Sequence, residues 1–214
     1  MKAYIFIGGE VSDNALPSPI PEGSLIIAAD SGYDTMKKLG IEARCDIAVG
    51  DFDSIKDVSF PSRVKVLRAP REKDYTDTQL AIDTALQSGA TEIFIVGGLS
   101  GRLDHTLSNL YLVEVLASLG IPTTISDGNN RVRFLRERSS LLVVRGEYKY
   151  FGLIPSGKDA KGVSIEGAKY GLKNATLKRE TPSLSISNEV VESLAMISSK
   201  KGGLFVIESN DLTK

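Results

Sequence analysis

Residues 46–54 read DIAVGDFDS, and this stretch decides the fold. Ile47-Ala48-Val49 is a short continuous apolar run, the pattern of a strand buried on both faces of a parallel sheet. Gly50 breaks it, and Asp51 and Asp53 follow at i and i+2. On an extended chain such a pair points to one side. At the C-terminal end of a parallel strand, that side is the crevice where open α/β sheets bind ligands. Carboxylate oxygens there suit Mg²⁺, a hard cation usually shared with substrate phosphates. A turn with two solvated aspartates is the plainer reading, so the flanking sequence has to decide.

The flanking sequence repeats the pattern. Strands are expected at Ala3–Ile7, Leu25–Ala29, Val64–Leu67, Ile93–Val96 and Thr123–Ile125, all short and mostly rich in Ile and Val. Helices are expected at Gly32–Leu39, Thr76–Ser88 and Asp104–Leu119, the last two ended by Gly89 and Gly120. Strand–helix alternation predicts a doubly wound, mostly parallel α/β sheet. Four strand ends carry an acid. Besides Asp51 and Asp53 these are Asp30 in Ala29-Asp30-Ser31-Gly32, Asp77 in Arg71–Asp77 (REKDYTD), and Asp104 in Gly97–His105 (GGLSGRLDH).

Each loop alone has a plain explanation, since Thr76, Asp77 or Asp104 could simply cap a helix. Together they describe a site for a polyphosphate and Mg²⁺. Lys73 and Arg71 would clamp phosphate, Arg102 would add a two-pronged contact, and the glycines up to Gly101 would bring backbone N–H groups to an anion. His105, the only histidine, reads equally as a helix-start residue or a base.

From about residue 131 the pattern changes. VRFLR, LLVVR, YKYFGLI, GVSIEG, SLSISN, VVESLAMIS and GLFVIES are short β-like segments separated by Gly, Pro, Ser and Asn. They predict an all-β sandwich or small barrel over residues 131–214, after an α/β unit over residues 1–130. The break falls at the turn-rich Asp127-Gly128-Asn129-Asn130. Charge divides at the same place, −7 in residues 1–130 and +6 in 131–214, for a total of −1 over 214 residues. Near-neutrality argues against a nucleic-acid binder. No apolar run is long enough for a membrane helix. One cysteine, Cys45, excludes an internal disulfide, and with one histidine it excludes Cys/His zinc clusters. The chain reads as cytoplasmic. Gly152–Lys158 (GLIPSGK) imitates a phosphate loop, but Asp159 replaces the needed hydroxyl and no helix pattern follows.

In this order, the motifs resemble the thiamine pyrophosphokinase family. The resemblance runs from Gly8-Gly9 through Asp30-Ser31-Gly32, GDFDSI (50–55), KDYTD (73–77) and GRLDH (101–105). It continues into GVSIEGAKYGLKNATL (162–177) and SISNE (185–189). It implies an α/β nucleotide domain followed by a β-sandwich that binds thiamine. It implies transfer of the pyrophosphoryl group of ATP to the hydroxyethyl oxygen of thiamine, by Mg²⁺-assisted in-line attack on the β-phosphorus, with AMP leaving. Asp51, Asp53 and Asp77 would hold Mg²⁺, with Asp30 and Asp104 close by. Lys73, Thr76 and Arg102 would contact phosphate. Ser187 and Asn188 would lie near the thiamine pyrimidine. The family implies a homodimer with the active site between subunits. Ser31 and Ser100 stand where glycine is more usual in the family. The chain has no Trp, which leaves Tyr148, Tyr150, Tyr170 or Phe205 to face the cationic ring. Two other readings remain at this stage: a pyrophosphokinase for a pterin-like hydroxymethyl heterocycle, and a non-catalytic nucleotide or thiamine-diphosphate-binding regulator.

Overall fold

A computed structural model describes residues 1–16, 19–52, 60–68 and 74–211. It divides into two compact units, Met1–Leu112 with Gly120–Gly128, and Val113–Leu119 with Asn129–Lys214.

The first unit is built on parallel strands β1 (Lys2–Phe6), β2 (Leu25–Ala29), β3 (Ile47–Gly50), β4 (Lys65–Arg68), β5 (Glu92–Val96) and β6 (Thr123–Ser126). Their order is β4-β3-β2-β1-β5-β6. Registers such as Ile5↔Ile27 and Ile5↔Ile95 place β1 between β2 and β5. The chain therefore builds outward from β1 in one direction through β4, then returns and builds in the other. That reversal is the switch point of a doubly wound sheet, where ligands bind beyond the strand ends. Helices α1 (Gly32–Lys38), α2 (Asp77–Gln87) and α3 (Leu103–Ser118) alternate with the strands, as the sequence pattern predicts. Strand β1 instead connects to β2 through an irregular segment with one 3₁₀ turn at Asp13–Ala15.

Continuous apolar strands bury both faces. Tyr4, Phe6, Ile26, Ala28, Ala48 and Val96 join Tyr33, Met36 and Cys45 in one core cluster. Helix α1 is locked onto β1 at close range. The Thr35 hydroxyl donates to the Ile7 carbonyl (2.9 Å), and a side chain at Gly32 would run into the Phe6 carbonyl. Only glycine lets the backbones approach so closely.

The second unit is all β. Strands β7 (Asn130–Leu135), β9 (Tyr150–Pro155) and β13 (Leu204–Ser209) form one antiparallel layer in the order β7-β13-β9. Strands β8 (Ser139–Val144), β10 (Ala160–Glu166), β11 (Leu172–Leu177) and β12 (Leu194–Ser199) form the other, in the order β11-β10-β12-β8. Alternate residues of both layers meet in a single core that includes Leu135, Phe151, Leu153, Val163, Ile165, Ala195, Ile197, Leu204 and Val206. This is the two-layer packing of a sandwich. SLSISN, read from sequence as β-like, is different: Pro182–Ser185 is a 3₁₀ turn, and only Asn188 makes an isolated bridge, to Phe151. The phosphate-loop imitation at Gly152–Lys158 lies on β9 and the turn after it.

Candidate active site

Two glycine loops meet where the sheet reverses. The Gly98 N–H donates to the Gly8 carbonyl (3.0 Å), stitching the loop after β5 to the loop after β1. The Ser100 hydroxyl accepts from the Glu10 N–H (2.8 Å), a second stitch between the same loops. Ser100 thus helps hold the two loops together. Gly98 has a φ of +73°, and a Cβ there would strike Ile7 and Asn109.

Beyond these loops lies a cleft of 350 Å³. Gly8, Gly9, Asp30 and Ser31 line it from the ends of β1 and β2; Gly98, Ser100, Gly101 and Arg102 line it from the end of β5. Thr76, Asp77 and Thr78 enter from the start of α2, and His105 and Asn109 from α3. Two helix N-termini and a glycine-rich turn bring backbone N–H groups and positive dipole ends to one place, an environment for an anion.

Thr76 caps α2. Its hydroxyl accepts from the Gln79 N–H (3.2 Å), and its own N–H donates to Gln79 Oε1 (2.9 Å), a complete capping box. Accepting that bond leaves the Thr76 O–H as a donor. Asp30 and Asp77 place two carboxylates on the cleft wall. Asp30 has a φ of +46°, and its N–H donates to the Val49 carbonyl (2.8 Å).

Arg102 grips Asp104. Nε donates to Oδ1 (3.2 Å) and Nη2 to Oδ2 (2.7 Å), both side chains being largely exposed. The Arg102 hydrogen bond holds the Asp104 carboxyl below its ordinary value, and the pairing raises Arg102 in turn. This fork is the geometry with which a guanidinium takes two phosphate oxygens. Asp104 itself lines a side pocket of 170 Å³, with Thr76, Thr78, His105, Ser108 and Asn109.

The described part of GDFDS, Gly50–Phe52, departs from an extended chain. Strand β3 ends at Gly50, and Phe52 has a φ of +58°, so the chain turns there. What fixes the segment is the Phe52 ring, buried in the core and edge-on to Phe60 (5.1 Å). Asp51 is half-buried and is not among the residues lining the 350 Å³ cleft. Asp53, Arg71 and Lys73 lie outside the described residues. Among the described residues, no group of three or more His, Cys, Asp or Glu is arranged to hold a metal ion.

Asn109 is the cleft residue that sequence reasoning missed. It is buried, and its Nδ2 donates to the Gly98 carbonyl (3.1 Å), fixing the glycine loop from behind. A signal was present. Val113, Leu116 and Ala117 form the buried stripe of α3, and Asn109 sits on that stripe one turn earlier. A polar residue at a helical core position needs a partner.

The second unit has its own pocket, of 460 Å³, lined by Tyr150, Phe151, Gly152, Ile154, Ile186, Ser187, Ile207, Ser209, Asn210 and Asp211. Of the four aromatics considered from sequence, Tyr150 lines it. Ser187 sits on its wall with a φ of +56°. Its neighbour Asn188 is 2% exposed and is not among the lining residues.

Comparison with known proteins follows the same division. Residues 18–125 match the family model for the thiamin pyrophosphokinase catalytic domain, and residues 138–204 match that for the thiamin pyrophosphokinase vitamin B1 binding domain. A Bacillus subtilis protein named thiamine pyrophosphokinase is 32% identical over 194 residues, 89% of each chain. Thiamin pyrophosphokinase 1 of Caenorhabditis elegans is 32% identical over 170 residues, 76% of this chain and 69% of that one. The crystal structure of thiamine pyrophosphokinase from Bacillus subtilis superposes with a TM-score of 0.86 at 30% identity, covering 99% of this chain and 100% of that one. Sequence, fold and domain order agree from end to end, and the chain belongs to the thiamine pyrophosphokinase family of enzymes.

Proposed function

We propose that the protein transfers the pyrophosphoryl group of ATP to the hydroxyethyl oxygen of thiamine, giving thiamine diphosphate and AMP. The observation that carries the reading is the 350 Å³ cleft at the sheet's reversal point, where glycine loops, two helix N-termini and Arg102 converge with two carboxylates. The reaction would be an in-line displacement at the β-phosphorus. Phosphoryl transfer of this kind asks a protein for positioning and charge neutralisation, and this chain offers both.

Backbone N–H groups of the Gly98–Gly101 loop would hold phosphate oxygens. Arg102, carried on the same loop, would exchange part of its grip on Asp104 for phosphate, and Asp104 would keep the guanidinium aimed. The Thr76 hydroxyl would donate to a further oxygen, and Lys73 would add a cation.

A divalent cation belongs in this reading. Mg²⁺ is usually bound by one or two carboxylates together with substrate phosphates. Asp30 and Asp77 on the wall of one anion-binding cleft suit that chemistry. Asp51, Asp53 and Asp77 would hold it, with Asp30 and Asp104 expected close by. When bound, the ion would offset phosphate charge. Residues 1–130 would form the nucleotide and Mg²⁺ domain and residues 131–214 the thiamine domain, with the pocket carrying Ser187 as acceptor site. The working form would be a cytoplasmic homodimer with its active site at the subunit interface.

The test is AMP release from ATP and Mg²⁺, with and without thiamine, alongside detection of thiamine diphosphate. Thiamine-dependent AMP in matching amount is the expected result. Protein that binds ATP but ignores thiamine would require a different acceptor. A sedimentation measurement giving only monomer during turnover would remove the shared-site part.

A further inference from the structure

Ile186 and Ser187 line the 460 Å³ pocket, yet the segment 186–190 that carries them is not part of a regular strand. Its hold on the sandwich runs through Asn188. The backbone of Asn188 pairs with Phe151 in both directions, N–H to carbonyl at 2.9 Å and carbonyl from N–H at 2.8 Å. Its side chain does not line the pocket and is bonded at both ends of the amide. Oδ1 accepts from the Tyr170 N–H (3.0 Å) and from the Glu189 N–H (2.9 Å). Nδ2 donates to the Tyr170 carbonyl (2.9 Å). One amide thus clamps both backbone groups of Tyr170, the way a neighbouring strand would. The pairing continues outward, with Lys169 N–H to the Glu189 carbonyl at 2.9 Å and a bridge between Ala168 and Val190.

Ser187, directly before this anchor, stands in the left-handed region at φ +56°. A non-glycine residue keeps that conformation only where its surroundings over-determine it. Here the anchor is Asn188, which pins the next peptide on both sides. The left-handed turn in turn sets Ser187 on the pocket wall, opposite in role to its buried neighbour.

We propose that Asn188 is a positioning residue for the acceptor. It does not touch thiamine; it holds the 168–170 and 187–189 segments together, and so fixes Ser187 in the conformation that presents it to the pocket. The proposal rests on the reading of this pocket as the thiamine site. It divides two adjacent residues by role: Ser187 meets the ligand, and Asn188 acts only through Ser187.

A double-mutant cycle separates the roles, because residues that act through one another are non-additive while independent contacts add. The variants are Ser187→Ala, Asn188→Ala and the double variant, each assayed for kcat and for the KM of thiamine and of ATP. Losing one ligand hydrogen bond corresponds to about a tenfold change. Ser187→Ala and Asn188→Ala should each raise thiamine KM about tenfold, leave ATP KM within about twofold, and give no further rise when combined. Full additivity would overturn the proposal, by making Asn188 an independent contact. So would a folded Asn188→Ala with unchanged thiamine KM. If Asn188→Ala does not fold, Asn188→Ser takes its place in the cycle, since it stays neutral and polar but is too short to clamp both backbone groups of Tyr170. A wild-type enzyme without thiamine-dependent AMP release would overturn the function itself; an active wild type with additive variants would overturn only the positioning role.

Discussion

Replacing Glu208 by alanine should be among the most destabilising single changes available in the second unit. Glu208 lies on β13 between Ile207 and Ser209, which line the 460 Å³ pocket, and strand alternation turns its own side chain the other way. It is 0% exposed and accepts three charged hydrogen bonds. Arg131 donates through Nε (2.9 Å) and Nη2 (2.6 Å), and Arg133 through Nη2 (2.8 Å). Burial alone would lower the Arg131 pKa, but the bond and charge of Glu208, with help from Glu147, raise it above its ordinary value. Arg133 already has a buried Nε with no hydrogen-bond partner. Removing the carboxylate would leave the mostly buried Arg133 guanidinium without an ion-pair partner and Arg131 with Glu147 alone. Breaking one side of a buried ion pair costs about 3–5 kcal/mol. For a chain of this size, that is a fall of about 6–20 °C in Tm. Urea denaturation followed by circular dichroism measures it directly, as a lower midpoint at unchanged slope. The control is the triple change Arg131→Met, Glu208→Leu, Arg133→Met, expected within about 2 kcal/mol of the parent because no buried charge is left unpaired and Glu147, which loses its partner, is exposed. A Glu208→Ala loss below about 1 kcal/mol would refute the reasoning, as would a triple variant worse than the single one.

The remaining predictions concern the first unit. Asp53→Asn should fold normally by circular dichroism and lose at least about 100-fold in turnover, as for loss of one electrostatic stabiliser; a fully active, Mg²⁺-dependent variant removes Asp53 from the metal set. Asp30→Gly should keep stability within about 1 kcal/mol, since glycine takes a φ of +46° freely, while turnover falls about 100-fold; an active variant would dismiss Asp30 from the site. Asn109→Leu removes the partner of the Gly98 carbonyl and should raise ATP KM more than thiamine KM, and equal rises would contradict its place behind the phosphate loop. Cys45 is buried, and burial pushes its thiol from 9.0 up to about 11. Between those values the folded chain keeps a proton that the unfolded chain has lost. Stability should therefore be full below about pH 9 and fall as pH rises toward 11, by at most about 3 kcal/mol. Cys45→Ala should flatten that limb of the curve, and an unchanged limb would rule out the thiol.

Much of the fold could be read in advance because buried parallel strands leave a strong local trace. Leu25–Ala29 is bounded in the structure as the apolar run predicts, and α2 and α3 each begin within one residue of the expected start. The misses share a cause. Leu172–Leu177 is a strand whose exposed positions are Lys173, Asn174 and Thr176, so its apolar signal is thin. SLSISN alternates like a strand, but Pro182 at the start of a 3₁₀ turn and the left-handed Ser187 break any ladder. The site was legible as a set of loops, because glycine and aspartate at strand ends are visible locally. The links among loops were not. The bonds between Glu10 and Ser100 and between Asn109 and Gly98 span 90 and 11 residues, and nothing local names the partners, even where, as at Asn109, the helical stripe calls for one.

Backbone strain marks the same places by a different route. Among the described residues, the non-glycine positions with positive φ are Asp30, Phe52, Arg138, Asn174 and Ser187. Arg138 and Asn174 belong to a turn and an edge strand of the sandwich, where left-handed residues are ordinary. The other three stand at the reversal-point cleft, inside GDFDS and on the second pocket. Each is held by something specific: Asp30 by its bond to Val49, Phe52 by its ring in the core, and Ser187 by the Asn188 clamp. Aspartate tolerates the left-handed region; phenylalanine does not, and pays about 1–2 kcal/mol for it. Burying the ring contributes about 2–3 kcal/mol, enough to offset that cost. The hydrophobic core thus fixes the turn at Asp51-Phe52 that ends β3.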